Sequence, residues 1–429
     1  MATPEGWRTA RLGDEIDVRI GGTPSRRVAS YWATGDEPGH PWAAISDLRG
    51  RFVSATAEAI TDEGVARSNV KAVDPGTVLM SFKLTIGRVA FASVSLFTNE
   101  AIAALVPFGA IDTEFLYYAA PTAASLGVAD DAVKGKTLNK AKIRELPLLL
   151  PPLPEQRKIA AILSSVDETI EKTEAVIAQL QVVKKAMMQE LLTRGMPGRH
   201  TRFKQTEIGE IPEGWSIVQI GDLGLPGAQV VRSGPFGSSL KTKDFLPAGT
   251  PVLTIQSLGE GRILHDGLFY VGDRKARELS EYEVQENDLV FSRVADIGRC
   301  AAISADEVGW LISSNLTRVR LSPDRATAAF LMYLLTLSPL VVRQIEMLVG
   351  SGGRPVITSS TLRDIRLPLP PLEEQWAITE ACRAADARAE RERQEMHRLL
   401  GLKSALSSAL LSGDLRVASD PSEEPAQPA

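Results

Sequence analysis

The segments Pro151-Pro152-Leu153-Pro154-Glu155-Gln156 and Pro370-Pro371-Leu372-Glu373-Glu374-Gln375 are near copies, and each opens a long helical pattern that closes on a Leu-Leu pair. Gln156 and Gln375 stand 219 residues apart, as do Leu191 and Leu410, so the register holds from motif to closing pair. A repeat of this length is a duplicated domain, because solenoid units recur every roughly 20–50 residues. The copies also extend upstream. Glu5-Gly6-Trp7 answers Glu213-Gly214-Trp215, and Arg11-Leu12-Gly13-Asp14 loosely answers Gln219-Ile220-Gly221-Asp222. Gly76 to Phe82, with Ile86-Gly87-Arg88, answers Asn287 to Arg293, with Ile297-Gly298-Arg299. The helical parts match in register while the parts before them share only anchors, which separates a common scaffold from a variable part suited to reading.

Within each variable part, short apolar runs such as Thr77–Phe82 and Val89–Val94 are broken by turn signals and read as strands. Glu114–Ala119 and Ala329–Leu335 read as short helices, so each globular region is mixed α+β. Proline is tolerated in a helix's first turn and an acid there favours its positive end, which starts the long helices at Pro154-Glu155 and its copy. Leu163, Val166, Ile170, Ile177, Leu180, Met187 and Leu191 follow the 3,4 spacing of one packing seam, with Lys184 as a polar interruption. The second copy carries Met396, Leu399, Leu406 and Leu410 at matching places, with Lys403 answering Lys184. A long amphipathic helix is unstable alone. Two-fold pseudosymmetry would let the two helices cover each other as an antiparallel coiled-coil pair, with a mixed α/β domain toward each end. The alternative is two surface helices, each packed on its own domain. The expected segments are 1–150, the helix and linker 151–204, 205–369, the helix 370–416, and a tail 417–429 of disordered composition.

A search for chemistry is mostly empty. Lys134-Gly135-Lys136-Thr137 imitates a phosphate loop, but Asp130 stands where the first glycine belongs. Gly350-Ser351-Gly352-Gly353 lacks the dinucleotide spacing. The four histidines are dispersed and no Cys-x-x-Cys occurs, so no metal site is expected. Cys300 and Cys382 read as buried thiols. Asp266 with Asp273 and Lys275 resembles a nuclease triple, though such a triple also arises by chance and the first copy has no equivalent. No apolar run approaches the about 20 residues of a membrane helix, and the start Met1-Ala2-Thr3-Pro4-Glu5 lacks a signal-peptide pattern, so a cytoplasmic protein is expected. A net charge of −5 argues against a chain coated in nucleic acid but leaves room for a local basic surface.

Polar and basic loops remain. Gly21-Gly22-Thr23-Pro24-Ser25-Arg26-Arg27 follows the first strand and is answered by Arg232-Ser233-Gly234-Pro235-Phe236-Gly237-Ser238-Ser239, with Lys241 and Lys243 beyond. Glycine-rich turns let backbone amides approach phosphate, and Arg, Ser and Thr can bond phosphate or base edges. Lys134, Lys136, Lys140, Lys142 and Arg144 form a basic run, with Arg343, Arg354, Arg363 and Arg366 in the matching region.

Taken together, the twice-used Pro-Pro-Leu-x-Glu-Gln opening, the helix endings Glu190–Gly195 and Ala409–Gly413, the loop Gly21–Ser25 and Ile86-Gly87-Arg88 resemble the specificity subunit of type I restriction–modification systems over nearly the whole chain. The resemblance implies two target-recognition domains reading the halves of a bipartite DNA site, separated by an antiparallel helix pair. It implies as partners double-stranded DNA, two methyltransferase subunits that use S-adenosylmethionine, and motor-nuclease subunits. It implies no catalytic centre and no cofactor in this chain. Candidate DNA contacts are Thr23, Ser25, Arg26, Arg27, Ser46, Lys83, Arg88, Lys134 and Lys136 in the first copy. In the second they are Arg232, Ser233, Ser238, Lys241, Lys243, Gln256, Arg293, Arg299 and Arg354. Competing readings are a coiled-coil adaptor without DNA readout and a DNA-cleaving or DNA-methylating enzyme. Trp376 and Glu373 depart from the first copy's Arg157 and Pro154, and the second seam is thinner.

Overall fold

The computed structural model describes residues 3–35, 37–129, 138–227, 229–237, 239–259, 261–294, 297–349 and 356–417. The chain divides into two compact units, Met1–Glu174 with Glu395–Ala429, and Ala175–Gln394. Both boundaries fall inside long helices, Leu153–Arg194 and Leu372–Ser412. Each unit therefore holds one globular head, the first half of the helix that follows that head, and the last half of the other helix.

In the first unit, strand Arg8–Arg11 pairs antiparallel with Pro147–Leu150, which runs straight into the Pro-Pro motif. This pairing closes the head at the base of its helix. A five-stranded sheet is ordered Ile16–Ile20, Ile102–Pro107, Val78–Ser81, Val89–Ala92, Phe52–Val53. A four-stranded sheet is ordered Glu58–Ile60, His40–Ala43, Leu96–Thr98, Ala72–Val73. Successive strand residues point to opposite faces, and here both faces are covered. Val78, Met80, Ala103 and Leu105 join Phe115 and Leu116 in one core, while Leu79, Ala90, Ile102 and Ala104 join Leu48 and Leu96 in another. The helix over this sheet is longer than its sequence suggests, Thr113–Ala129, and passes through Pro121. Burial of Ala119, Ala120, Ala123 and Ala124 on either side carries it past the proline.

The second unit repeats the plan. Ser216–Gln219 pairs with Arg366–Leu369 as the closing strands. One sheet is ordered Val231–Ser233, Leu316–Arg320, Asp288–Ser292, Cys300–Ala302, and a single parallel bridge between Gly261 and Ala301 replaces the first unit's fifth strand. The other is ordered Phe245–Leu246, Phe269–Val271, Thr250–Leu253, Leu311–Ile312. No single helix among the described residues is long and apolar enough to cross a membrane. The apolar helix Ala328–Leu337 packs in this unit's core. Cys300 and Cys382 are both free and buried there, and burial pushes both thiols up to about 12.

The Glu-Gln pair of the duplicated motif joins head to helix. Trp7 Nε1 donates to the buried carboxylate of Glu155 at 2.9 Å, and the Arg416 guanidinium holds both Glu155 oxygens at 2.9 and 3.1 Å. Gln156 Nε2 donates to the carbonyls of Ala110 and Pro151 at 2.9 and 2.8 Å, while its Oε1 accepts from the Asp112 amide at 2.8 Å. In the second unit Trp215 Nε1 donates to Glu374 at 3.1 Å, and His200 Nε2 lies 2.7 Å from the same carboxylate. Gln375 bonds the carbonyls of Arg325 and Pro370 at 3.0 Å each and accepts from the Thr327 amide at 3.1 Å. The long helices end on Gly195 and Gly413, whose φ of 79° and 78° is the left-handed conformation glycine adopts readily.

A second shared device explains the polar interruptions. Tyr118 donates to Asp167 at 2.7 Å, and Lys403 from the other long helix pairs with that carboxylate at 2.5 Å. In the second unit Tyr333 donates to Asp386 at 2.6 Å and Lys184 pairs with it at 2.6 Å. Within the first unit Glu155 meets Arg416 and Asp167 meets Lys403, so residue numbers fall on one helix as they rise on the other. The two helix segments are antiparallel. The same order holds in the second unit, where Lys184 meets Asp386 and His200 meets Glu374.

Of the expected seam, Leu163, Ile170, Leu191 and Leu410 are buried, and Val166, Ile177, Leu180, Met396, Leu399 and Leu406 are partly so. Met187 is not a seam residue. It is exposed, and Met188 is buried in its place. A strict seven-residue repeat drifts about 20° per heptad on a straight helix, enough to hand the position to the neighbouring residue by the last heptad. Each helix half packs on its head as well as on the other helix, so neither of the two sequence alternatives is complete by itself.

Two outcomes follow. Trp7→Phe removes the indole donor from a buried carboxylate and should destabilise by about 1.5–3 kcal/mol. Hydrogen exchange should show the loss around residues 151–162 and not around 370–380; equal loss at both would contradict it. Asp167→Lys should be more damaging alone than paired with Lys403→Asp, and denaturation of the single and double variants measures the coupling.

Candidate nucleic-acid interface

Strand register brings a set of loops to one end of each head. In the first, Ile20 lies opposite Ala103 and Ser81 opposite Ile102, so the segments after Ile20, after Ser81 and before Ile102 leave the sheet at the same end. The Asn99 amide bonds the Ala43 carbonyl at 3.0 Å, which adds the turn Ile45–Asp47. In the second, Ser233 lies opposite Thr317 and Ser292 opposite Leu316, and the Ser313 amide bonds the Leu253 carbonyl at 2.9 Å. This adds the turn Ile255–Ser257.

Gly21, Gly22 and Gly234 of these loops are held by close backbone packing. A Cβ on Gly21 would lie 2.2 Å from the carbonyl oxygens of Thr98 and Asn99, and one on Gly234 would lie 2.0 Å from that of Ser313. The amides of Gly21, Gly22 and Gly234 bond the carbonyls of Ile102, Thr98 and Leu316 at 3.2, 2.8 and 2.9 Å. Only glycine permits the chain to pass this close.

In the first head, Ser25 and Arg27 are exposed on the loop, and Ser46 is exposed on its turn. Thr23 donates its hydroxyl to Glu100. Arg26 grips Glu58 through both terminal guanidinium nitrogens and stacks over Trp32 at 3.7 Å. The Arg26 bond holds the Glu58 carboxyl below the ordinary range, and the Thr23 hydroxyl does the same for Glu100, with smaller help from Lys83 and Arg26. Lys83 lies over Phe82, 5.6 Å from the ring centre. In the second head, Gln256, Lys241 and Lys243 are exposed, Gln256 at the position matching Ser46.

Other candidates are drawn into the fold. Arg232 pairs with Glu281 and stands opposite Arg318 in the sheet. Burial, then the neighbouring Arg320, pushes the Arg318 guanidinium down to about 10. The Ser233 hydroxyl is 2.6 Å from that of Ser359. Arg293 is half-buried, and its backbone joins Asn315 and Ile357. Arg88 and Arg299 turn toward the long helices. Arg88 lines an open groove of about 460 Å³ with Arg49, Tyr117, Glu171 and Lys403. Arg299 lines its counterpart of about 870 Å³ with Arg262, Tyr333, Glu390 and Lys184. Arg144 and Arg363 pack over Gly13 and Gly221, away from the loop end. Lys134, Lys136, Ser238 and Arg354 lie outside the described residues, as do the lookalike loops at 134–137 and 350–353 and the tail from 418. In the nuclease lookalike, Lys275 pairs with Glu278 at 2.6 Å, and among the described residues no group of three His, Cys, Asp or Glu side chains could hold a metal ion.

Leu84 and Phe236, not among the sequence candidates, stand exposed at the loop ends. The available signal was an apolar residue inside a turn segment, where no strand or helix face exists to bury it. Sequence reasoning missed Arg416, whose role depends on a contact with Glu155 far away in sequence.

Comparison with known proteins places this arrangement. A family model described as the type I restriction modification DNA specificity domain matches residues 4–182 and again 212–398. The MjaVIII type I restriction enzyme specificity subunit of Methanocaldococcus jannaschii is 24% identical over 428 residues, 97% of this chain and 95% of that protein. The putative MjaX specificity subunit of the same organism is 31% identical over 68% of this chain and 64% of its own length. Among solved structures, a chain from work on complex assembly and conformational transition of the type I R-M system aligns with a TM-score of 0.62 at 17% identity, covering 97% of this chain and all of that one. The S subunit from M. genitalium aligns with a TM-score of 0.55 at 14% identity, over 94% and 96% of the two chains. With both copies matched by one model, and relatives, one of them matched over nearly its full length, described as specificity subunits, the chain belongs to the type I restriction–modification family as a DNA specificity subunit.

Proposed function

We propose that each head reads one short half of an asymmetric, bipartite DNA sequence on behalf of a restriction–modification complex, and that the length of the helices sets the unread gap. The observation that carries this reading is the contrast between frame and loops. The two heads share their closing strands and their Trp–Glu and Tyr–Asp–Lys contacts, yet at equivalent loop positions Ser46 is answered by Gln256, Lys83 by Val294 and Thr23 by Phe236. Different side chains on one frame suit different half-sites. The long helices would carry two methyltransferase subunits that bind S-adenosylmethionine, with motor-nuclease subunits joining them, in the cytoplasm. This chain would bind and orient DNA without a catalytic group of its own. Its net charge of −5 suggests that partner subunits supply much of the phosphate contact and that the chain alone binds weakly and with strong salt dependence.

Expressing the chain with its methyltransferase partner and mapping modified bases across a genome tests the reading. Two specific halves around a fixed gap are expected; a continuous motif, or a stable complex without methylation, would overturn it. Removing one heptad from each long helix, residues 177–183 and 396–402, shortens each by about 10 Å. At 34 Å per DNA turn the gap should shrink by about three base pairs, and an unchanged gap would reject the ruler. Arg27→Glu should weaken methylation about tenfold, more than Arg26→Glu, because Arg26, although exposed like Arg27, is already held by Glu58. Initial rates on one duplex rank the two variants.

A further inference from the structure

We infer that Leu84 in the first head and Phe236 in the second are specificity-determining residues that each contact the 5-methyl group of a thymine in the major groove, an inference that rests on the DNA-reading function proposed above. Both side chains are left in water by the fold, Leu84 at 89% and Phe236 at 82% of full exposure. Both stand at the loop end of their sheets. Leu84 lies between Ser81 and Val89, whose strands form a hairpin, and Phe236 follows Val231–Ser233. Neither position has a helix or strand face to serve.

The backbone adds a second argument. Leu84 adopts a φ of 61°, a conformation that side chains other than glycine, asparagine and aspartate rarely take. Asn287, with a φ of 64°, is the other non-glycine residue in this region among those described, and its amide is compensated: Oδ1 accepts from the Ala328 amide at 2.7 Å and Nδ2 donates to the Ala326 carbonyl at 3.1 Å. A leucine side chain can form no such bonds. An exposed, strained apolar residue is a cost without return in the isolated protein, which points to a function met on binding.

The surroundings select the ligand chemistry. Leu84 is flanked by Lys83 and Thr85, with Thr23, Ser25 and Arg27 on the neighbouring loop of the same sheet end. Phe236 is followed by Ser239, Lys241 and Lys243. Hydroxyls and cations around one apolar group match the major-groove edge, where thymine alone among the four bases offers a methyl group beside hydrogen-bonding atoms. The apolar position also changes loop between the heads: Leu84 belongs to the loop after Ser81, Phe236 to the loop corresponding to Gly21–Arg27. The contacted thymine should therefore occupy different places in the two half-sites.

The test uses the full chain in complex with its methyltransferase, acting on duplexes that carry the mapped site. Each thymine of each half-site is replaced in turn by deoxyuridine, which removes only the methyl group. With the wild-type chain, one thymine position per half-site should lose about fourfold in methylation efficiency, the equivalent of one buried methyl group. Leu84→Asn keeps a residue that tolerates positive φ while removing the apolar group. It should abolish the deoxyuridine effect in the first half-site and leave that in the second, and Phe236→Ala should do the reverse. If no thymine position responds, or if the variants retain the wild-type response, the inference fails while the specificity function stands. If the wild-type complex methylates no split site, both fail together.

Discussion

Everything in this protein hangs on a buried carboxylate at the start of each long helix. Glu155 and Glu374 are taken out of water, where an unpaired charge costs several kcal/mol, and each is met by an indole N–H from the start of its head. Each is also met by a basic side chain that follows the end of the other helix, Arg416 in one case and His200 in the other. Three segments remote in sequence must converge for the charge to be tolerated. The helix N-terminus adds its own partial positive charge at the same point. This requirement ties the closing strands, the head and both helices of a unit into one cooperative structure.

The Tyr–Asp–Lys contacts add directionality. An apolar seam can slide by a heptad at little cost, whereas an Asp with one hydroxyl and one ammonium partner, buried at Asp167 and half-buried at Asp386, fits at a single setting. Asp167 and Asp386 take the hydroxyl from their own head and the ammonium from the other helix, so one residue fixes both the seating of the head and the register of the helix segments. Burial first, and then the bond to the carboxylate, holds the Tyr118 and Tyr333 phenols above their ordinary range, which keeps both as donors. With the frame so constrained, the loop ends are free to differ, which is what a reader of varied sequences requires.

The duplication, the start and end of each long helix, the mixed heads and the family were legible in the chain, because each is written in local spacing: a proline-rich start, a 3,4 repeat, a closing glycine. Which of the candidate DNA-contact residues the fold itself engages was not legible. Arg26, Arg232 and Ser233 have the right chemistry but are engaged by Glu58, Glu281 and Ser359, which lie 32, 49 and 126 residues away. Arg88 and Arg299 sit in a conspicuous motif yet face grooves beside the helices. Composition names the groups that could bind DNA; it does not say which of them the fold has already used.

The sequence by itself determined that two copies of one plan exist and that each ends in a long helix, since repetition and periodicity are properties of order along the chain. Tertiary structure decided what those repeated residues are for. It packed Gly21 and Gly234 closely against the backbone of Thr98, Asn99 and Ser313, moved the seam from Met187 to Met188, and left Leu84 and Phe236 in water. The physical reason is the same in each case: burial and pairing depend on which atoms arrive from distant segments, and spacing along the chain carries no record of that arrival.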